Sequence, residues 1–206
     1  MLTRLNVSLL SLLLLSSFSV HSATNLWKKS YQLEYKGKYA QAAAVIEGNT
    51  TRGRNKEYAL LRFAYLNYMQ GKYSDSIRAY KQAINLNPRT IDARLGITLP
   101  LMAQKRWRQA RRYANQVLAN SPWNFTAHVR LMLVEEGTRK WAKLSKHAKK
   151  VAERYPTDST ALVYLARAEA WQGNISEAKK AYRKVIIRVP AHIEANYFIT
   201  KHTYKK

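Results

Sequence analysis

The chain has 206 residues, 36 Lys and Arg against 12 Asp and Glu, a formal net charge of +24, and no cysteine. At 47% hydrophobic residues it is too apolar for a disordered basic tail and long enough to bury a real core. Without cysteine there is no disulfide framework, thiol nucleophile, cysteine-held metal or N-terminal lipoprotein anchor, and the positive excess points to an anionic neighbour without bearing on fold.

The N-terminus reads as an export signal. MLTRLN carries one Arg beside the free amine, about fourteen mostly apolar residues follow in VSLLSLLLLSSFSV, and SVHSAT then supplies small residues. That apolar run falls short of the ~20 residues a membrane-spanning helix needs. Residues 1–23 are therefore expected to be a cleavable signal, cut after Ser22 or Ala23. The remainder, 24–206, is expected to be exported, periplasmic or secreted, and neither a lipoprotein nor an integral membrane protein.

Beyond the signal the chain repeats. Pro88, Pro122, Pro156 and Pro190 stand 34 residues apart. Eight residues before each proline come Tyr80, Ala114, Ala148 and Tyr182, five before come Ala83, Val117, Val151 and Val185, and twelve before come Ser76, Ala110, Leu144 and Ala178. Offsets of three and four place these on one buried helical face. Residues 57–90 carry the fullest set, with Leu60, Phe63 and Ala64 on a first helix, Gly71 and Tyr73 at a turn, then Tyr80, Ala83 and Pro88. Residues 159–192 repeat it with Leu162, Leu165, Ala166, Gly173, Ala178, Tyr182 and Pro190.

This pattern resembles the tetratricopeptide repeat, a 34-residue helix–turn–helix. The resemblance covers about 180 residues and implies an all-α, right-handed α-solenoid of about five repeats: 23–56, 57–90, 91–124, 125–158 and 159–192. Residues 193–206 read as a capping helix, which covers the last stacking face. Lys105 and Arg139 stand where the turn glycine belongs, and Arg54 where the first proline belongs, so repeat 23–56 is expected to have a looser exit turn. Pro100 is expected to kink its helix and Gly137 to end its helix early.

Little in the chain suggests catalysis. His128 occupies an inward position held by Leu60 and Leu162 in sister repeats, and reads as a packed histidine. His147 lies among Lys146, Lys149 and Lys150. His192 and His202 have no partner at metal-ligand spacing, and Glu135-Glu136 reads as a solvated acidic pair. No HExxH, GxSxG or phosphate-binding glycine motif occurs. No enzymatic activity, cofactor or metal is expected.

Binding surfaces are more legible. In the resembling family the first helices line a concave face. The matching stripe here holds Trp27, Tyr31, Tyr35, Tyr58, Tyr65, Tyr68, Met69, Leu99, Met102 and Trp171, with about half of such residues expected to pack as core. Family members that grip C-terminal carboxylates carry Lys and Asn four apart on this stripe. Trp27/Tyr31 and Leu61/Tyr65 occupy those positions here, so an aromatic groove for an envelope protein or peptide segment is expected instead. Charge falls elsewhere. Residues 24–90 carry 12 Lys and Arg against 4 acids, and residues 91–206 carry 23 against 8. Arg108, Arg111, Arg112, Lys143, Lys146, Lys149, Lys150, Lys180, Arg183 and Lys184 recur on second helices as a basic convex face. That face suits an anionic polysaccharide, as in polysaccharide export, or an anionic membrane surface. Export disfavours nucleic acid.

Overall fold

A computed structural model describes residues 25–203. The expected signal segment and its cleavage site lie outside the described residues. Among the described residues there is no strand, and no helix is long and apolar enough to cross a membrane. Helix α1 spans 25–35, followed by α2 (Tyr39–Ile46), α3 (Lys56–Met69), α4 (Tyr73–Leu86), α5 (Ile91–Ala103), α6 (Trp107–Asn120), α7 (Phe125–Gly137), α8 (Trp141–Arg154), α9 (Thr160–Trp171), α10 (Ile175–Arg188) and α11 (Ile193–Thr203).

Every hairpin closes by the same local device. Gly37, Gly71, Lys105, Arg139 and Gly173 hold left-handed φ angles of 70, 75, 56, 53 and 81°. The next amide in each turn, from Lys38, Lys72, Arg106, Lys140 and Asn174, donates at 2.8–2.9 Å to the carbonyls of Leu33, Asn67, Leu101, Glu135 and Glu169. This is the long bond of a Schellman cap, which satisfies the last carbonyls of the first helix and reverses the chain. Lys105 and Arg139 therefore take the glycine's conformation rather than replacing the turn with another.

The chain divides into two compact units, 1–96 and 97–206. In the first, α1 and α2 form one hairpin and α3 and α4 another, with α2 packed on α3. Ala42, Ala43, Ile46 and Leu66 form the core of this junction, with Trp27, Leu33, Tyr39, Val45, Phe63 and Tyr65 packed around them. Helix α2 is short, and a 3-10 turn over Glu47–Thr50 follows it. There the Thr50 hydroxyl donates to the Glu47 carbonyl at 2.7 Å and the Thr51 hydroxyl to Gly48 at 3.1 Å. Side chains that compete for helical carbonyls shorten the helix, giving the first repeat its different exit.

In the second unit α6 packs on α7, α7 on α8, α8 on α9, α9 on α10, and α10 on the terminal α11. Met132, Leu144, Ala148, Val151, Ala161, Tyr164 and Ala168 make one core cluster. Leu162, Ala166, Ala181, Tyr182, Val185 and Ala195 belong to the next. The residues that the 34-residue period assigns to the inward face of second helices are all buried, from Ser76, Tyr80 and Ala83 to Ala178, Tyr182 and Val185.

Pro100 lies inside α5. Gly137 does not end its helix early: α7 runs through it, to the same repeat position at which α3, α5 and α9 stop. Its missing side chain serves packing instead, since a Cβ there would lie 2.5 Å from the Trp107 ring.

Candidate functional site

Seven of the ten stripe residues stand on α1 and α3 of the first unit. The i, i+4 spacing of Trp27, Tyr31 and Tyr35 on α1 stacks them on one face, and α3 brings Tyr58, Tyr65, Tyr68 and Met69. Trp27 meets the Tyr58 ring edge-on at 4.9 Å, and the Tyr31 and Tyr58 hydroxyls are hydrogen-bonded to each other. Tyr68 lies 6.0 Å from Tyr73 across the hairpin turn.

Sequence reasoning missed what holds this face. Arg62 is only 6% exposed, and its guanidinium lies 3.5 Å from the Tyr31 ring centroid. Its Nη1 pairs with Glu34 Oε2 at 2.8 Å, and its Nε donates to Ser30 Oγ at 2.9 Å. Ser30 in turn donates to the Ala42 carbonyl at 2.8 Å. One buried cation thus ties α1, α2 and α3 together and fixes Tyr31 from beneath. The sequence signal was an arginine between Leu61 and Phe63 on the inward side of an otherwise apolar helix. Burial, reinforced by the Tyr31 hydrogen bond, pushes the Tyr58 hydroxyl up to about 12. Desolvation and the Glu34 charge also raise Tyr65. Tyr58 and Tyr65 therefore stay neutral at physiological pH.

The outer side of this assembly is open. Tyr35 is 94% exposed and Tyr31 49%. An open cleft of about 760 Å³ is lined by Tyr31, Gln32, Glu34, Tyr35, Lys36, Tyr39 and Tyr65. Its walls are aromatic, and the tyrosine hydroxyls, Gln32, Glu34 and Lys36 supply its polar groups. The other stripe residues lie in the second unit. Leu99 and Met102 are half-buried on α5. Trp171, 69% exposed, stacks flat on Trp141 with centroids 5.2 Å apart.

The pair Glu135-Glu136 is not a solvated face. Glu135 is 2% exposed and takes His147 Nδ1 at 2.8 Å and Lys143 Nζ at 3.3 Å. His147 Nε2 lies 2.9 Å from His128 Nδ1, and His128 Nε2 reaches the Pro122 carbonyl at 3.0 Å. Burial raises the Glu135 carboxyl, but the hydrogen bonds and charges of His147 and Lys143 together hold it below the usual carboxylate range. His128, buried in its inward position, is lowered by desolvation and by the His147 and Lys150 charges. His147 turns away from Lys146 and Lys149, because near neighbours on a helix diverge by about 100° per residue, and shares Glu135 with Lys143 one turn earlier.

Glu136 and Arg167 are likewise structural. Arg167 binds Glu194 through two bonds of 2.8 and 2.6 Å and Glu136 at 3.2 Å, while the Tyr182 hydroxyl donates to Glu194 at 2.6 Å. This network fastens α11 to α7, α9 and α10. The Arg167 bonds, chief among the causes, hold the Glu194 carboxyl low.

The basic residues divide by partner. Lys143 is taken by Glu135 and Lys180 pairs with Glu177 at 2.6 Å. Lys150 sits 5.2 Å over the Trp123 ring and Arg154 5.4 Å. Arg108, Arg111 and Arg112 line a shallow depression on α6 with Asn115, Gln116 and Ala119, in which no acid takes part. Lys146, Lys149, Arg183 and Lys184 are exposed.

The family profile described as tetratricopeptide repeat matches residues 58–90 and 160–192. These are the two stretches with the fullest set of repeat residues. Among solved structures, the chain is similar to MamA from Desulfovibrio magneticus RS-1, with 16% identity over 84% of this chain and 97% of that one and a TM-score of 0.70. It is similar to a tetratricopeptide repeat protein from Parabacteroides merdae, with 16% identity over 89% of this chain and 75% of that one and a TM-score of 0.71. YrrB, described as a TPR protein with an unusual peptide-binding site, shares 13% identity over 84% of this chain and 89% of that one, with a TM-score of 0.64. At these identities the likeness is one of fold, the α-solenoid built of helix–turn–helix repeats. No curated protein sequence matches the chain.

Proposed function

The chain is a tetratricopeptide repeat protein, and from that premise we propose that it is a non-catalytic interaction scaffold of the cell envelope. Its first unit holds a segment of a partner protein against the Trp27, Tyr31, Tyr35, Tyr58, Tyr65, Tyr68 and Met69 face. The observation that carries this reading is the mounting of Tyr31 on a buried arginine that is itself neutralised by Glu34. An aromatic side chain held rigid while half its surface stays in water loses little entropy on contact, which is what an interface anchor requires. In the second unit, Leu99, Met102 and Trp171 are proposed as apolar partner contacts of their own. The signal-like residues 1–23 support an envelope location, and the fold, typical of proteins that bind peptides and proteins, supports the scaffold role.

The reading is tested by crosslinked capture from an envelope fraction at low and high salt. Apolar anchoring survives high salt, so the same partner is expected in both, and Tyr31→Ala with Tyr35→Ala is expected to lose it. A partner retained by that double variant at high salt would overturn the proposal.

The acid-free arginine depression on α6 favours a second reading, in which the exposed basic residues hold an anionic polysaccharide or lipid surface. Reversing the charge at Arg108, Arg111 and Arg112 should then abolish retention on anionic vesicles or acidic polysaccharide, and unchanged retention would remove this role.

A further inference from the structure

We propose that the second unit carries a docking site of different chemistry: a cleft between α8 and α10, floored by α9, that takes a short extended segment of an acidic partner protein whose carboxylates alternate with apolar side chains. The cleft encloses about 940 Å³, within the range of ligand-binding clefts. One wall is α8, with Lys149 on its rim. The other is α10, from Glu177 to Arg188, with Lys180 and Lys184 one turn apart. Leu162 and Leu165 of α9, with Ala181, supply an apolar floor.

Its length and closure follow from helix geometry. At 1.5 Å per residue, the α10 wall is about 16 Å long, room for roughly five residues of extended chain at 3.3 Å each. The far end is shut by Arg188, whose guanidinium donates to the Pro156 carbonyl at 2.8 and 2.5 Å.

Charge selects the occupant. Of the three acids that line the cleft, Glu177 is held by Lys180, and Glu169 receives the Ser145 hydroxyl and, at 2.7 Å, the Asn174 amide. Glu153 remains on the rim, against Lys149, Arg183 and Lys184, none of which enters an ion pair among the described residues. A peptide carboxylate between α8 and α10 meets a net excess of positive charge, with Lys149, Lys180, Arg183, Lys184 and Arg188 against three acids, while an intervening side chain covers the floor. A flat headgroup layer does not reach a floor recessed between two helices, and a polyuronate has no apolar side chain to fill it. The observations therefore favour a peptide over both. The site shares no residue with the tyrosine face and does not depend on it.

The test uses a fluorescein-labelled hexapeptide of alternating Asp and Leu, read by anisotropy against the full chain, with an Asp/Ser hexapeptide, polygalacturonate and phosphatidylglycerol vesicles as parallel probes. Lys149→Glu with Lys184→Glu is expected to weaken Asp/Leu binding by about tenfold or more, two charge reversals at a partly dehydrated site. Arg108→Glu with Arg112→Glu, the same charge change on α6, is expected to shift it by less than about twofold, since neither residue lines the cleft and exposed charges are screened by salt. The Tyr31→Ala, Tyr35→Ala variant is expected to bind this peptide as wild type does. Both lysines are exposed, and Lys149→Ala with Lys184→Ala serves in place of any reversal that lowers helicity. Equal losses in the α6 and cleft variants, or equal binding of Asp/Ser and Asp/Leu peptides, would overturn the proposal. So would polygalacturonate or vesicles being the only probes whose binding follows Lys149 and Lys184.

Discussion

Lys105 and Arg139 sit in the left-handed region at φ 56 and 53°, at the turn position that glycine occupies in the other three hairpins. A side chain there costs about 1–2 kcal/mol, whereas glycine costs roughly 0.5–1 kcal/mol in extra unfolded-state entropy. Strain is the larger effect. Lys105→Gly and Arg139→Gly are each expected to stabilise the chain by about 0.5–1 kcal/mol, read as a raised urea midpoint at constant slope. The opposite sign is expected at Gly96. Alanine there gains about 1 kcal/mol of helix propensity, but its Cβ would lie 2.3 Å from the ring of Tyr80, itself only 4% exposed. Overpacking costs typically 1–3 kcal/mol, so Gly96→Ala should lower stability despite improving the helix, and a raised melting temperature would contradict this packing role. The turn residues were legible in the sequence because the 34-residue period aligns them. The role of Gly96 was not, because period alone does not say which ring crosses which backbone.

At the scale of elements, the α7–α8 hairpin holds a chain of polar groups inside an apolar repeat. The Pro122 carbonyl accepts from His128 Nε2, His128 Nδ1 lies 2.9 Å from His147 Nε2, and His147 Nδ1 meets Glu135. The folded state depresses both His128 and Glu135, so protonation of either favours the unfolded chain. Their contribution is complete above the unfolded value of His128, near 6.5, and declines as pH falls through the two folded values. Stability is therefore expected to fall from about pH 6.5 downward, in a histidine branch followed by a carboxylate branch. His128→Leu, which installs the residue found at Leu60 and Leu162, should remove the upper branch. Glu135→Gln should remove the lower branch and cost about 1–3 kcal/mol at neutral pH for the lost charge-assisted bonds. Urea midpoints across pH 4–8 that stay parallel for wild type and His128→Leu would contradict the assignment. The sequence showed His128 facing inward, and the structure agrees. It did not show that His147 and Glu135 turn toward it, because their neighbours in sequence are lysines and an acid, and helical period fixes a face without naming what lies opposite. Arg62 with Glu34, and Arg167 with Glu194, escaped notice for the same reason: each pair joins residues 27 or more positions apart that meet only after the hairpins stack.

For the whole molecule, these pairings decide how the net charge of +24 acts. Glu34, Glu136 and Glu194 are engaged in internal bonds to Arg62 and Arg167, and Glu135 is shared by His147 and Lys143, so they do not offset the remaining lysines and arginines on the outer faces of α6, α8 and α10. Two effects of salt then oppose each other. Screening weakens the internal pairs, but only slightly, because buried or partly buried pairs are poorly screened. It also relieves repulsion among exposed like charges, and strongly, as the Debye length falls from about 10 Å at 0.1 M to 3 Å at 1 M. Relief is the larger effect here. The melting temperature is therefore expected to rise with sodium chloride by a few degrees, and a polyanion that binds the exposed cations should produce the same rise at much lower ionic strength, since it stabilises by binding as well as by screening. The two can be separated by charge reversal. Arg108→Glu with Arg112→Glu and Lys146→Glu should raise the melting temperature at low salt and flatten its salt dependence. A wild-type melting temperature that falls with salt would mean that the internal pairs, rather than surface repulsion, dominate the electrostatics of the fold.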